Sequence, residues 1–515
     1  MRLEDYLLKN VSNQPSKIAL QDSRRTITYS EMLNECREMI VSLRARGIQP
    51  GDRVAVISRN RVEFILSAFA CFLGGYIFQP VNFRLSPTEL SYVLQDSEPS
   101  TVIIEAEQFP ELLALVESRK DITIVVKLHE KSGFDWGRGD ASSDSVEDYR
   151  PAVDPTRIAA LLYTGGTTGG AKGTVLSHDA WLLSSRDGAY ALRLTRHDKS
   201  YICVPLFHVS FVHFLSLFYL GITVMLGERV RSDEVVDAIV NGGATHIVLV
   251  QAPLVDLLNY LRDNKIVLPK IRTLQYGGSP IAPSVIERVS EVFGDVLYQN
   301  YGLTEIAGGA TYLPPEDHSP SAVGDVWRKR VRSAGYSMPG AEIGIFSDEG
   351  NLLSSDTLGE VWIRSEAVMD GYWRNEKATK EAITPDGWLK TGDMGRLDAD
   401  GYLYIVDRKK DMIISGGENI YARDVEDVLL SHPDIREVAV VGAPDDRLGE
   451  KVVAFLVMRD GVSLTKEELN EWLSKALSSY KKPSRVFFET ELPRTTVGKI
   501  YKPTLRAWLA EGRYD

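Results

Sequence analysis

Eleven consecutive residues, YTGGTTGGAKG at 163–173, hold five glycines, three threonines and a lysine. Glycine has no Cβ, so its backbone can approach an anion closely. Successive amides in such a turn form a concave anion site. Gly165 and Gly166 open the run, Thr164, Thr167 and Thr168 add hydroxyl donors, and Lys172 adds charge. The chemistry these residues suit is the holding of a polyphosphate. The run is not a Walker A loop, which needs Gly before its lysine and Ser or Thr after it. Here Ala171 and Gly173 flank Lys172. An ordinary flexible surface loop would not need so many donors in so short a span.

Further motifs follow in order: VPLFHVSF at 204–211, QYGGSPI at 275–281, QNYGLTE at 299–305, WLKTGD at 388–393, DRKKDMIISGGENIY at 407–421 and PRTTVGKI at 493–500. Singly each is weak. Together and in this order they resemble the acyl-adenylate-forming superfamily, which includes acyl- and aryl-CoA synthetases, peptide-synthetase adenylation domains and luciferases. The resemblance covers nearly the whole chain and is nearest to the acyl-CoA synthetases.

That resemblance implies an ATP-dependent carboxylic acid–CoA ligase, with ATP, Mg2+ and coenzyme A as its cofactors. Attack of a carboxylate on the α-phosphate of ATP brings two anions together, so the site must neutralise charge and align the reactants. By resemblance, Glu305 binds magnesium, for which a carboxylate is a suitable hard ligand. Thr304 and Thr164 bond phosphate oxygens. Tyr301 stacks on adenine, with Asn300 near its amino group. Asp393 accepts from the ribose hydroxyls, with Arg408 close by. Lys499 bridges the carboxylate and the α-phosphate. His208 gates the acyl pocket.

For thioester formation the resemblance implies rotation of a small C-terminal domain about Lys410, since hinges concentrate backbone change in a few residues. Gly416 and Gly417 would then line a channel for the pantetheine arm. Tyr480, Lys481 and Lys482 could meet the coenzyme A nucleotide, or form a plain basic turn. Leu448, beside Arg447, is not aromatic and suits no stacking role.

The acyl pocket is expected from 207–214, 277–281 and 306–312, with Phe207, Val209, Gly277, Gly278, Ser279 and Gly308 as named walls. These stretches hold no Lys or Arg, and His208 and His213 are their only potentially basic groups. His213 reads as structural. A dicarboxylate would need a buried cation opposite its second charge, so a monocarboxylic acid is expected. Gly308, Gly309 and Ala310 leave room for a fatty acyl chain or a bulky ring acid.

The elements that must position these residues read as α/β. VAVIS at 54–58, TVIIE at 101–105, ITIVV at 122–126, HIVLV at 246–250 and IRTLQYGG at 271–278 are β-branched runs separated by helical patterns. Such runs predict parallel sheets covered on both faces, with ligands beyond the carboxyl ends of strands. The apolar stretch 64–78 is too short for a membrane span and reads as a buried helix. The polar segment 130–155 reads as a loop. AEIGIF at 341–346 and GEVWIRS at 359–365 mark a β-rich subdomain. Residues 1–407 are expected to form the large N-terminal domain. Residues 408–515 are expected to form a small mobile α+β domain that carries Lys499.

The 515 residues exceed what one core supports. A net charge of −12 argues against a general nucleic-acid or anionic-membrane binder. Three scattered cysteines, Cys36, Cys71 and Cys203, form no disulfide or zinc pattern and fit a reducing, cytoplasmic location. The N-terminus has no signal-peptide pattern. The expected partners are a small-molecule acid, ATP and CoA, without nucleic acid or a transmembrane segment, and a homodimer is open. An enzyme of fatty acid metabolism fits. Three alternatives remain at this stage: loading of a separate carrier protein, luciferase-type oxidation, and a nucleotide-binding scaffold without catalysis.

Overall fold

The computed structural model describes residues 1–515 apart from 131–132, 137–156, 165–170, 209, 278–280, 282, 320–325, 417, 446, 460, 463, 475, 496–498 and 515. The chain divides into two compact units. The first comprises Met1–Ile343, Ile363–Lys390 and Asp400–Leu403, and the second comprises Gly344–Trp362, Thr391–Ala399 and Tyr404–Asp515.

The first unit holds two large sheets. One has eight strands, in the order Gly371–Tyr372, Lys172–Ser177, Ile158–Thr164, Ile77–Val81, Arg53–Ile57, Thr101–Glu105, Ile124–His129, Gly133–Asp135. Its centre is parallel, with Ala55 opposite both Gln79 and Val102. Every residue of Ile77–Val81 and Thr101–Glu105 is buried, as a sheet covered on both faces requires. Within the segment expected to be a loop, Gly133–Asp135 pairs antiparallel with Ile124–His129.

The parallel pattern breaks at the glycine-threonine run. Strands Ile158–Thr164 and Lys172–Ser177 are antiparallel, with Thr164 opposite Lys172. A parallel crossover needs about a dozen residues or more, and the link here is too short. The run therefore joins the two strands of a hairpin.

The second sheet has nine strands, in the order Tyr336–Ser337, Gly308–Leu313, Leu297–Leu303, Thr273–Gly277, His246–Val248, Lys199–Ile202, Thr223–Leu226, Ile18–Gln21, Thr26–Thr28. Leu297–Leu303 and Gly308–Leu313 are antiparallel for the same reason, being joined by the short turn Thr304–Ile306.

Helix Val62–Gly74 is buried along its whole length. It packs with helices His178–Ala191 and Ser210–Tyr219 in one cluster that also takes Phe78 and Leu162 from the eight-stranded sheet and Ile202, Val224 and Ala310 from the nine-stranded one. The three helices thus form a layer shared by both sheets. Phe69 meets Phe218 with ring centroids 4.8 Å apart, and Phe211 stacks on Phe214 at 5.5 Å. Each such side chain, fully buried, contributes about 1.5–3 kcal/mol. Helix Val62–Gly74 ends where Gly75 turns to φ +74°, a conformation that suits glycine. Among the described residues no helix is long and apolar enough to cross a membrane.

The second unit is built on the antiparallel pair Ile435–Asp445 and Gly449–Met458. Arg485–Glu489 adds parallel to the free edge of Gly449–Met458 at Val453–Val457, and Ser415 of Ile413–Ser415 pairs with Gly449 of the same strand, with Glu418–Ile420 beyond it. Val440, Val452 and Ala454 face the core that holds Val425 and Leu429 of helix Ala422–Leu430 and Leu469 of helix Lys466–Ser474. Val441, Val453 and Phe455 face Leu505 of helix Lys502–Ala510. Both faces are covered, which explains the near-continuous apolar run of EVAVVGA. A further four-stranded sheet, Ala341–Phe346, Gly359–Ser365, Trp388–Leu397 and Leu403–Arg408, contributes residues to both units.

Candidate active site

In the first unit, the hairpin that carries the phosphate loop is held by its neighbours. The Tyr163 hydroxyl donates to Asp96 Oδ2 at 2.5 Å. Thr164 ends its strand and Lys172 starts the next. Gly165, Gly166, Thr167 and Thr168 lie outside the described residues, as do Val209, Gly278, Ser279 and Gly417. Lys172 Nζ sits 4.9 Å from the centroid of the Tyr372 ring, a cation–π contact. The Tyr372 hydroxyl donates to Glu305 Oε1 at 3.0 Å. Burial, reinforced by that carboxylate, pushes the phenol pKa up and keeps the hydroxyl a donor. Tyr372 thus stands between the loop lysine and the expected metal carboxylate.

Glu305 is aimed by its turn. Thr304 O accepts from the Ala307 amide at 2.9 Å, and Ala307 takes φ +52° without being glycine. Such backbone strain needs support from its surroundings. The Glu305 carbonyl also accepts from the Met369 amide at 2.8 Å. Glycine is required just before this turn: a Cβ on Gly302 would lie 1.8 Å from Gly308 O.

Two of the three expected acyl segments, 207–214 and 306–312, meet in a cavity between the nine-stranded sheet and helices His178–Ala191 and Ser210–Tyr219, which Gly277 and Ile281, the described residues of 277–281, do not line. Its lining includes Val212, His213, Gln275, Tyr298, Asn300, Gly309, Tyr312 and Met338. The described walls enclose about 30 Å³. Gln275 Nε2 donates to Asn300 Oδ1 at 3.1 Å. Gly277 permits that arrangement, since a Cβ there would meet Asn300 Oδ1 at 2.8 Å. Gly308, at φ +146°, leaves the space that Ser184 and Val212 border. Phe207 is buried against Phe83, and His208 Nδ1 accepts from the Ser210 amide at 3.2 Å. Tyr301 lies on the same strand as Asn300, opposite Thr311.

In the second unit, Asp393 is 3% exposed and pairs with Arg408 at 2.6 Å. The Gly392 amide donates to Glu360 Oε1 at 3.2 Å, and Lys409 bridges Glu360 and Asp348. Arg494 and Ile500, on either side of Lys499, form an antiparallel bridge. The Lys499 side chain is exposed by surface area, yet nearby protein thins the solvent around its charge and lowers its pKa. The Arg408 charge adds to that effect and the Asp393 carboxylate opposes it. The tail lysine therefore shares surroundings with the expected ribose carboxylate. Burial also lowers the Lys410 pKa. Gly416 takes φ +60° and its amide donates to Leu448 O. Lys482 Nζ donates to Ser474 Oγ, while Lys481 pairs with Asp424.

The AMP-binding enzyme family matches residues 7–373, and its C-terminal domain matches 424–499. The chain belongs to the AMP-binding enzyme family. It is 33% identical over 516 residues to an indoleacetate–CoA ligase of Aromatoleum aromaticum, covering 99% of this chain and 98% of that protein. It is 33% identical to a fatty acid–acyl-carrier-protein ligase, ScoC, of Streptomyces coeruleorubidus, covering 96% and 94%. An O-succinylbenzoate coenzyme A synthetase from Bacillus subtilis, solved with ATP and magnesium ion, has a TM-score of 0.82 at 30% identity, covering 98% and 99%.

Two features of this AMP-binding enzyme escape the sequence reading. Tyr372 lies in a GYW run at 371–373 that carries no chemistry by composition. Its role shows only because Gly371–Tyr372 pairs with Lys172–Ser177. The contact of His213 Nε2 with His246 Nε2 at 3.1 Å escapes too, because the residues sit on separate elements.

Proposed function

We propose that this AMP-binding enzyme is an ATP-dependent carboxylic acid–CoA ligase acting on a monocarboxylic acid. One placement carries the reading: Lys499, far along the chain, lies close enough to Asp393 and Arg408 for both charges to act on it. In the first half-reaction the acid's carboxylate oxygen attacks the α-phosphorus of ATP. The bond to the β-phosphate oxygen breaks and pyrophosphate leaves. Thr164, Gly165, Gly166, Thr167, Thr168 and Lys172 hold the phosphates, and Thr304 adds a hydroxyl. Tyr301 and Asn300 face the adenine, and Asp393, oriented by Arg408, takes the ribose hydroxyls. Lys499 neutralises charge at the reacting phosphate.

Among the described residues no group of three or more His, Cys, Asp or Glu could hold a metal alone. The Glu305 carboxylate, fixed by Tyr372, fits a magnesium ion that takes its remaining oxygens from phosphates and water. Bound there, the ion would offset phosphate charge. In the second half-reaction the coenzyme A thiolate attacks the acyl carbon and AMP leaves. The segment from 408 to 515 turns about Lys410, with Gly416, Gly417 and Lys482 toward the coenzyme, and His208 opens the acyl pocket. A cytoplasmic location completes the proposal and suits the three buried, unpaired cysteines.

The test is pyrophosphate release with a panel of acids, with and without coenzyme A. Lys499→Ala is expected to abolish adenylation yet retain thioester formation from supplied acyl-adenylate. Equal loss of both half-reactions in a folded variant would refute the two-step assignment. Thioester on an added carrier protein, but none on coenzyme A, would move this chain to the activity that ScoC's name describes.

A further inference from the structure

The cavity between the nine-stranded sheet and the two helices is not the apolar slot that a plain hydrocarbon acid would need. His246 on its strand faces the same side as Val248, and Val248 stands opposite Gln275. Gln275 stands opposite Tyr298, Gly277 opposite Asn300, and Asn300 opposite Tyr312. Alternate residues share a face, so one polar stripe crosses four strands on the side that helix Ser210–Tyr219 covers. His213 descends from that helix to place its Nε2 3.1 Å from His246 Nε2, with the rings stacked.

The stripe is incompletely satisfied. Gln275 Oε1 and His246 Nδ1 are buried, and neither has a partner of hydrogen-bond geometry among the described residues. The Gln275 side chain still lies near enough to His246 to oppose the fall in its pKa. Only one Nε2 of the two imidazoles can carry the shared proton. If His213 donates it, His246 Nδ1–H faces the glutamine and His213 Nδ1 is left as an acceptor. If His246 donates it, His213 Nδ1–H is left as a donor. Either way His213, which lines the cavity, has a ring nitrogen to offer. Buried polar groups in native proteins are usually paired. Among the described residues the cavity lining contains no Lys, Arg, Asp or Glu, so a second full charge on the ligand would go unanswered.

We propose that the acid activated here carries an uncharged hydrogen-bonding group, a hydroxyl or carbonyl on its ring or chain, which His213 and Gln275 receive. This rests on the ligase reading, with the acid's polar group in this cavity, whose volume of about 30 Å³ suits one water-sized group. Plain fatty acids and dicarboxylates are then the poorer substrates.

The experiment compares kcat/KM for pyrophosphate release across matched acids. Each ring or chain acid is paired with its hydroxy or oxo analogue, and with the corresponding dicarboxylate. The same panel is run on His213→Phe and Gln275→Leu, with thermal unfolding to confirm that each is folded. The wild type is expected to prefer an oxygenated acid over its plain analogue by at least about tenfold. Either variant is expected to reduce that ratio toward one, the loss falling chiefly on the oxygenated acid. Plain acids that match or exceed every oxygenated analogue in the wild type would overturn the proposal and leave the ligase reading standing. So would a preference that a folded variant of each site leaves unchanged. Pyrophosphate release with no acid at all would overturn the ligase reading, and this proposal with it.

Discussion

The hydroxyl of Tyr372 donates to Glu305 Oε1 at 3.0 Å, and the face of the same ring receives Lys172. One side chain thus orients an expected metal carboxylate and restrains the lysine of the phosphate loop. Tyr372→Phe keeps the ring and removes the donor. A hydrogen bond to a charged group contributes about 1.5–3 kcal/mol. The variant should need roughly tenfold more magnesium for half-maximal pyrophosphate release. A titration that overlays the wild type would show that the hydroxyl does not position Glu305.

Gly302 tests the packing around the turn that aims Glu305. A Cβ there would lie 1.8 Å from Gly308 O and 2.8 Å from Gly309 Cα. Both contacts are backbone, so the strands themselves must part. Gly302→Ala should cost about 3 kcal/mol or more, and denaturant unfolding reads it directly. Gly387 is the control: its φ is +87°, but nothing lies within 4 Å of an added Cβ. Gly387→Ala should cost only the backbone strain, about 1–2 kcal/mol.

Lys499 should leave a mark on the pH profile. Desolvation by the surrounding protein lowers its pKa from the ordinary 10.5, and the group acts as a cation. Adenylation should therefore decline on the alkaline side with an apparent pKa below 10.5. Thioester formation from supplied acyl-adenylate should lack that limb. Lys499→Arg should move the decline beyond the measurable range, because guanidinium stays charged. An identical limb in both half-reactions would assign the titration to another group.

Acid should destabilise the first unit through its buried histidines. Burial lowers the pKa of His246 from 6.5 to about 3 and of His318 to about 4, and lowers that of His213 well below the usual value. Between the folded and unfolded values the unfolded chain binds more protons, so stability falls as pH falls. The loss should begin below pH 6.5 and continue to the folded values. Its slope is up to about 1.4 kcal/mol per pH unit for each histidine. In His213→Phe the acid-side slope should shrink, as urea unfolding at several pH values would show. An unchanged slope would place the uptake elsewhere.

The order of motifs along the chain was enough to name the reaction class, because a phosphate loop, YGLTE, TGD and a tail lysine are local patterns of residue type. Strand positions were legible for a related reason. TVIIE was found as Thr101–Glu105, buried at every position, and AEIGIF and GEVWIRS as Ala341–Phe346 and Gly359–Ser365, buried only in part. The direction of Lys172–Ser177 was not legible, because pairing direction depends on how long a link is and what it packs against. Nor was the work of Tyr372, His213 and Gln275. Each is unremarkable in its own segment and gains a partner only when separate strands and helices are brought side by side. Local chemistry is a property of sequence, but contacts between Lys172, Tyr372 and Glu305, or between His213 and His246, exist only where the fold closes those distances.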